Sequence, residues 1–159
     1  MAKNNTKIEL DNIERKNGSK DYVFAVGRRK EAIARVRLYQ KTVALWDNIE
    51  VKKGEIFVNK QPAIVYFGKE SERIYKQPLI VTNADKRFAV TAMVVGGGKI
   101  GQLDAFVLGI ARALDKFDKE KHHPILKKRG FLTRDPRVRE RRKVGMGGKA
   151  RRRKQSPKR

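Results

Sequence analysis

Apolar and polar residues alternate with a period of two near the start of the chain. Over Ala32–Tyr39, small and aliphatic residues occupy every second position, and the positions between them hold Ile, Tyr and two Arg. This alternation predicts a half-buried strand with a basic outer face. Tyr22–Val26 predicts an earlier strand that stops at Gly27, and Gly27–Lys30 is then a turn with three cations.

Further strands and a short helix are predicted downstream. Glu55–Val58 is a β-rich run followed by the turn Asn59–Lys60, and Pro62 leads into a short helix over Ala63–Phe67. Phe88–Val95 is almost continuously apolar, which is typical of a strand covered on both faces.

The clearest helix signal lies at Gln102–Phe117. Its apolar residues recur mostly at spacings of three and four, so they form one stripe about 100° wide that must pack on the sheet. The pattern therefore predicts an α+β fold, an open sheet with helices on one face, followed by a basic tail.

Charge divides the chain into parts of different character. Residues 127–159 contain 16 Lys or Arg against only Asp135 and Glu140, a net charge of +14. Such a segment buries too little apolar surface to offset its ordering entropy, so a polyanion is expected to order it by releasing counterions. We predict a flexible N-terminal arm over 1–20, a globular α/β domain over 21–126 and a basic tail over 127–159.

The basic tail carries one helix signal. Asp135 before Pro136 matches an N-cap followed by the residue best tolerated at the first helical position, which predicts a helix over Pro136–Val144 ending at Gly145. We expect this short cationic helix to form only when phosphates surround it.

Several classes of protein are excluded by composition. The chain has no cysteine, which argues against a disulfide scaffold and any Cys-based zinc site. A membrane span needs about 18 apolar residues, and Phe88–Val95, the longest such run, is far shorter. The N-terminus lacks the apolar region of a signal peptide, so a cytoplasmic protein is expected.

No group of residues in the sequence predicts a catalytic site. Gly96, Gly98 and Gly101 match the dinucleotide-binding pattern G-x-G-x-x-G, but no second parallel strand follows to close the βαβ unit. A tight turn with close helix packing is the favoured interpretation, and amides there could still receive an RNA phosphate. His122 and His123 are adjacent and predict a solvated helix end. We expect no enzyme, no cofactor, no metal and no small-molecule substrate.

Three separate motifs resemble one family. These are Gly27–Leu38 (GRRKEAIARVRL), the Gly96–Gly98 turn with Gly101–Gln102 and Gly109–Leu114 (GIARAL), and Leu132–Arg137 (LTRDPR) with Glu140. In this order they resemble the bacterial-type ninth protein of the small ribosomal subunit, from about Tyr22 to Arg159. The resemblance implies a protein of the subunit head whose two-layer α/β body is similar to the second domain of the fifth small-subunit protein, with a left-handed βαβ crossover.

The resemblance also implies partners and contact residues. It implies binding to 16S-type rRNA and to neighbouring small-subunit proteins, and it assigns contact with the peptidyl-site tRNA anticodon stem-loop to Lys158 and Arg159. The family tends to end Gln-Phe-Ser-Lys-Arg, whereas this chain has Ser156 and Pro157 and no aromatic there. The predicted rRNA-binding residues are Arg28, Arg29, Lys30, Arg35, Arg37, Lys127, Lys128, Arg129, Arg134, Arg137, Arg139, Arg141, Arg142, Lys143, Lys149, Arg151, Arg152 and Arg153.

Some alternatives stay open at this point. Tyr22 or Tyr39 could stack on an unpaired base, although core packing is the favoured interpretation for both. An RNA-binding subunit of an RNA-processing ribonucleoprotein enzyme would share the same kind of fold and charge. A DNA-compacting protein fits the charge alone.

Overall fold

The computed structural model describes residues 22–41, 43–47 and 49–142. It begins with an antiparallel pair, β1 (Tyr22–Arg29) and β2 (Ala32–Tyr39), in continuous register from Tyr22 opposite Tyr39 to Arg29 opposite Ala32. The alternation predicted for β2 is confirmed, because Ala32, Ala34, Val36 and Leu38 are all buried.

The predicted end of the first strand at Gly27 is wrong. Strand β1 continues to Arg29, and the turn consists of Lys30 and Glu31, with Lys30 at φ 50°. Gly27 is needed for another reason, since a Cβ at this position would overlap the carbonyl oxygen of Ala105 on the helix packed against it. The glycine allows close approach of strand and helix, and it does not end the strand.

A second hairpin was absent from the sequence prediction. Strands β3 (Val43–Trp46) and β4 (Ile49–Lys52) form a separate two-stranded sheet. Its Ala44 and Val51 pack with Tyr39 and Ala89 in a small second core. The hairpin therefore covers one end of the face of the main sheet that the helices leave open.

The middle of the chain forms a crossover between two parallel strands. After β5 (Ile56–Val58) and the two-residue strand β6 (Gln61–Pro62) come helix α1 (Ala63–Phe67), a 3-10 turn (Lys69–Ser71) and helix α2 (Glu72–Val81). The chain then enters β7 (Ala89–Val95), which pairs antiparallel with β2 and parallel with β5. The main sheet has the order β1-β2-β7-β5-β6. The left hand of this crossover stays an expectation from the resemblance.

Two more helices complete the described fold. Helix α3 (Lys99–Phe117) lies across β1 and β2, and its Phe106, Ile110 and Leu114 are fully buried. Helix α4 (Lys119–Lys128) follows, with Asp118 accepting a hydrogen bond from the Lys121 N–H as its N-cap. The predicted α+β class is confirmed, with a layer of helices on one face of an open sheet.

The predicted coverage of β7 on both faces holds for only part of the strand. Ala89–Ala92 are all buried, because the helices cover one face and the small hairpin covers the other. Beyond the hairpin, Met93 and Val95 are exposed on the open face. None of the described helices is long and apolar enough to span a membrane.

Candidate nucleic-acid interface

The end of the β1–β2 hairpin presents two of its three consecutive cations outward. Arg28 and Lys30 are exposed at the tip of the hairpin. Arg29 lies on the side of β1 that faces the helices, because strand residues alternate between faces and Ala25 and Gly27 also lie on that side. Its side chain is only 12% exposed.

Arg29 joins three segments that are far apart in sequence. Its Nε lies 3.4 Å from Oδ2 of Asp104 on α3, and its Nη2 lies 2.9 Å from Oδ2 of Asp135. Its Nη1 donates a hydrogen bond of 2.7 Å to the carbonyl oxygen of Arg137. A guanidinium with several donors in one plane suits this role, which fixes the start of the tail against the body.

Asp135 is the matching acceptor of this junction. Its Oδ1 accepts the Arg137 N–H at 2.9 Å, and its Oδ2 pairs with Nη2 of Arg137 at 2.6 Å. The Arg137 side chain and backbone N–H, together with Arg29, hold the pKa of the Asp135 carboxyl well below its usual range. The carboxylate therefore stays charged at any physiological pH.

Apolar side chains also anchor the root of the tail. Helix α4 runs to Lys128, Gly130 takes φ 75° in the turn that follows, and Phe131 and Leu132 pack against the main core. The positive residues Lys127, Lys128 and Arg129 cluster where the helix ends, which complements the helix dipole. Apolar packing on the body thus ends at Leu132, and polar contacts to Arg29 continue to Arg137. The predicted domain boundaries stay predictions.

The predicted helix over Pro136–Val144 is absent from its described part. Residues 134–142 form no helix or strand. Asp135 does cap a backbone N–H, but it caps that of Arg137, two residues on, as an Asx turn does. Its second oxygen is held by Arg29 and Arg137, so the capped turn leads into an irregular chain.

The cations of the described tail remain available to an outside partner. Arg134, Arg139, Arg141 and Arg142 are exposed, and none of them forms an ion pair with another described residue. The remaining predicted contact residues lie outside the described part of the chain and stay predictions: Lys143, Lys149, Arg151, Arg152, Arg153, Lys158 and Arg159.

Strand β2 contributes two more cations on the open face of the sheet. Arg35 is exposed, and Arg37 is half-buried with its guanidinium 5.0 Å from the centre of the Tyr22 ring. Tyr39 is buried in the second core and Tyr22 packs against it, with ring centres 5.4 Å apart. Of the two open alternatives for these tyrosines, core packing is the one observed.

The glycine-rich segment before α3 is a packing device. A Cβ on Gly96 would overlap the carbonyl oxygen of Glu31 in the β1–β2 turn, and Gln102 closes the loop by donating to the carbonyl oxygen of Gly96 at 3.0 Å. No strand follows α3 within the described residues, so no βαβ unit closes around a dinucleotide. The tight turn is confirmed, and the close packing that Gly96 and Gly97 allow is against Glu31 and Ala32.

The two histidines do not form a solvated helix end as predicted. Helix α4 contains both of them, and His122 is only 4% exposed, so burial lowers its pKa. Nδ1 of His123 lies 2.7 Å from Oδ1 of Asp115, which joins α4 to α3. Across the described ranges, no group of three or more His, Cys, Asp or Glu side chains could hold a metal ion.

Sequence reasoning missed Asp104 and the apolar anchor at Phe131 and Leu132. Asp104 gives no signal by itself, because carboxylates on helices are common and only the folded chain brings it to Arg29. The apolar anchor could have been recognised in the sequence, because two adjacent large apolar residues directly follow a glycine. It was overlooked because the residues around it are mostly basic.

The comparison with protein families decides between the alternatives. A model of the ribosomal protein S9/S16 family matches residues 27–159. The chain belongs to this family. It is therefore a small-subunit ribosomal protein that binds rRNA, in a family of structural ribosomal proteins and not of enzymes. Ribosomal RNA and other ribosomal proteins are the partners that the S9/S16 family implies, in place of a processing enzyme or bulk DNA.

Proposed function

We propose that the protein is a structural constituent of the subunit head that anchors a cationic tail on 16S-type rRNA. The tail extends to the peptidyl site, where Lys158 and Arg159 contact phosphates of the tRNA anticodon stem-loop. The protein acts in cytoplasmic ribosomes beside neighbouring small-subunit proteins, without a cofactor or a metal.

The observation that carries this proposal is the junction at Arg29. Arg29 of the body, which also pairs with Asp104 of α3, holds the start of the tail by an ion pair to Asp135 and a hydrogen bond to the Arg137 carbonyl oxygen. Phe131 and Leu132 hold it by apolar packing. Immediately beyond this point the chain carries exposed arginines without described partners. The body thus holds the start of a polycationic segment at a fixed place on its surface.

The contacts proposed for the body are electrostatic. Arg28, Lys30 and Arg35 are exposed on one edge and one face of the sheet, and Lys127, Lys128 and Arg129 are exposed at the end of α4. Each phosphate that such a cation neutralises releases counterions, which makes binding salt-dependent. Guanidinium groups add paired hydrogen bonds to phosphate oxygens.

Binding to rRNA is tested with the full chain and a salt series. We expect a head fragment of 16S-type rRNA to outcompete random duplex DNA at every salt concentration, because the folded RNA fits the body as well as the tail. Equal competition by the two nucleic acids would contradict the proposal, since charge alone would then account for binding.

The tail tip is tested in reconstituted subunits by removing Lys158 and Arg159. Each lost phosphate contact should weaken peptidyl-site tRNA by on the order of 1 kcal/mol, with subunit assembly unchanged. A control removes two cations from the β3–β4 hairpin region, with Lys52→Gln and Lys53→Gln, and should leave tRNA affinity as it was. Unchanged tRNA affinity in the truncated subunit would refute the role of the tip.

A further inference from the structure

The face of the main sheet opposite the helices is open beyond the β3–β4 hairpin. In the register of β1, β2 and β7, Val26 lies opposite Arg35 and Arg35 opposite Met93, while Arg28 lies opposite Ile33 and Ile33 opposite Val95. Phe24 lies opposite Arg37 in the next row. Phe24, Met93 and Val95 are 40%, 46% and 50% exposed, which is high for side chains of this size on a sheet.

Phe24 differs from every other described aromatic residue. All the other described Phe, Tyr and Trp side chains are buried or half-buried, and Phe24 alone is exposed. Its neighbour Ala25 and, two residues on, Gly27 point to the helices, so the backbone of β1 fixes Phe24 on the open face. A flat ring is thus presented at the surface on a rigid strand.

Cations lie on the same face of the sheet as the ring. Arg28, Arg35 and Arg37 project from it, and strands β1, β2 and β7 contain no acidic residue. Arg37 is the register partner of Phe24 on β2, and its guanidinium packs over the ring of Tyr22, two residues before Phe24. The face therefore combines an exposed ring, apolar neighbours and three positive charges, and the three strands that form it contribute no acidic residue.

This combination matches an unpaired RNA strand. Sequence-tolerant binding of single strands uses aromatic rings on which bases stack and cations that follow the phosphates. A double helix cannot use the ring, because its bases are already stacked inside. A protein partner is less well matched, since the arginines interrupt the apolar residues and would need acidic partners.

We propose that this open face, around Phe24, Arg35 and Arg37, binds an unpaired rRNA segment by stacking a base on Phe24. The inference rests on the proposed function and adds to it the kind of RNA that the body recognises. It also distinguishes two modes of RNA binding. The sheet binds by base stacking and by charge, whereas the tail binds by charge alone.

The test measures the affinity of the full chain for a single-stranded RNA and for the same sequence as a duplex, over a salt series. Phe24→Leu should weaken single-strand binding about fivefold or more and leave duplex binding unchanged, since a stacked base is lost. The dependence of its affinity on salt should stay as in the wild type. Phe24→Trp should restore the affinity.

Arg35→Gln is the matched variant for the charge. It should weaken both RNAs and lower the salt slope for the single strand by about 0.7, which corresponds to one phosphate. Val65→Ala removes an exposed apolar side chain from α1 and should change neither affinity nor slope.

Ultraviolet crosslinking of the wild type to head rRNA gives an independent readout. The tryptic peptide of residues 21–28, which contains Phe24, should carry a crosslinked nucleotide that maps to an unpaired position. Equal loss of single-strand and duplex affinity in Phe24→Leu, no loss at all, or a crosslink only to paired positions would overturn the inference.

Two other outcomes are distinguishable. If Phe24→Leu binds RNA normally but impairs incorporation of a neighbouring small-subunit protein, the face docks a protein and the inference is wrong. If the wild-type chain shows no preference for head rRNA over duplex DNA, the proposed function fails instead, whatever Phe24 does.

Discussion

The body and the tail use the same kinds of side chain for opposite purposes. In the body, Arg112 and Lys116 of α3 donate hydrogen bonds to the carbonyl oxygens of Val26 and Phe24 on the edge strand β1. In the described tail, Arg139 and Arg141 point to solvent without an ion-pair partner among the described residues. Cations that have acceptors nearby stabilise the fold, whereas the exposed cations without one are those that the proposed function assigns to rRNA.

This difference means that a count of charges is a poor guide to binding residues. Arg29 belongs to the run of three cations at the end of the β1–β2 hairpin, yet its guanidinium is already occupied by Asp104, Asp135 and a carbonyl oxygen. Its neighbours Arg28 and Lys30 are exposed. Because side chains alternate along β1, Arg29 faces the helices and is paired within the fold, whereas Arg28 lies on the opposite face and is exposed.

Truncation of a large side chain should lower the free energy of unfolding strongly in the core of the body and hardly at all in the tail. Phe106 is fully buried and its ring stacks on Phe67 with centres 5.7 Å apart. Phe106→Ala should lower the free energy of unfolding by about 3–5 kcal/mol, measured by urea denaturation. Val138→Ala, an exposed residue of the tail, should change it by less than about 0.5 kcal/mol. A comparable loss in both variants would show that the tail belongs to the core.

The close approach of strand and helix in the body is tested at its glycines. Gly27→Ala places a Cβ against the backbone of Ala105 and should destabilise by about 1–3 kcal/mol or more. Gly101→Ala is the matched control, because its Cβ would meet atoms only at 3.6 Å or beyond and lies in the first turn of α3. That control should be neutral or stabilising by up to about 1 kcal/mol. The same loss in both would contradict the packing role of Gly27.

Acid should weaken the body through His122. Burial lowers the pKa of this side chain in the folded protein, so the unfolded chain takes up a proton first as the pH falls. Its contribution to stability is complete above the ordinary pKa of about 6.5 and is lost as the pH falls through the lower folded value. Urea denaturation at pH 8 and pH 5 should show a smaller difference in His122→Leu than in the wild type. An equal pH dependence in the two proteins would mean that His122 is not the titrating group.

The junction between body and tail should respond to a change that hardly affects global stability. Asp135→Asn removes the charge that Arg29 and Arg137 share, so limited trypsin digestion at Arg134 and Arg137 should become faster. In the wild type, the lowered pKa of Asp135 keeps this protection at neutral pH, and protection is lost only in acid below the ordinary Asp value of about 3.9. Asp85→Asn, outside the junction, should digest like the wild type. Equal digestion of Asp135→Asn and wild type would show that apolar packing alone holds the root.

Long and regular patterns made much of the fold predictable. The period-two alternation of β2 and the apolar stripe of α3 predicted elements whose bounds the structure nearly reproduces. The β3–β4 hairpin was missed because four-residue strands carry too little periodicity. Helices α2 and α4 were missed because each contains a proline, Pro78 or Pro124, which argues locally against a helix.

The candidate site was predictable in kind and not in detail. Exposure of Arg28, Lys30 and Arg35 follows from charge and alternation, whereas the pairing of Arg29 with Asp135 joins residues more than a hundred positions apart. Phe24 gave no signal either, since a phenylalanine in a β-rich run is normally buried. It is exposed because the register of β1 against β2 places it beyond the area that the β3–β4 hairpin covers.

The tie between Arg29 and Asp135 also has a kinetic consequence. Body and tail are two linked ligands for one RNA particle, and the tie places the start of the second ligand beside the cations of the first. On the proposed function, binding of the body makes contact between the tail and the same particle an intramolecular event, at an effective concentration on the order of millimolar. Binding of the tail is then a unimolecular step, whose rate does not depend on the concentration of free protein.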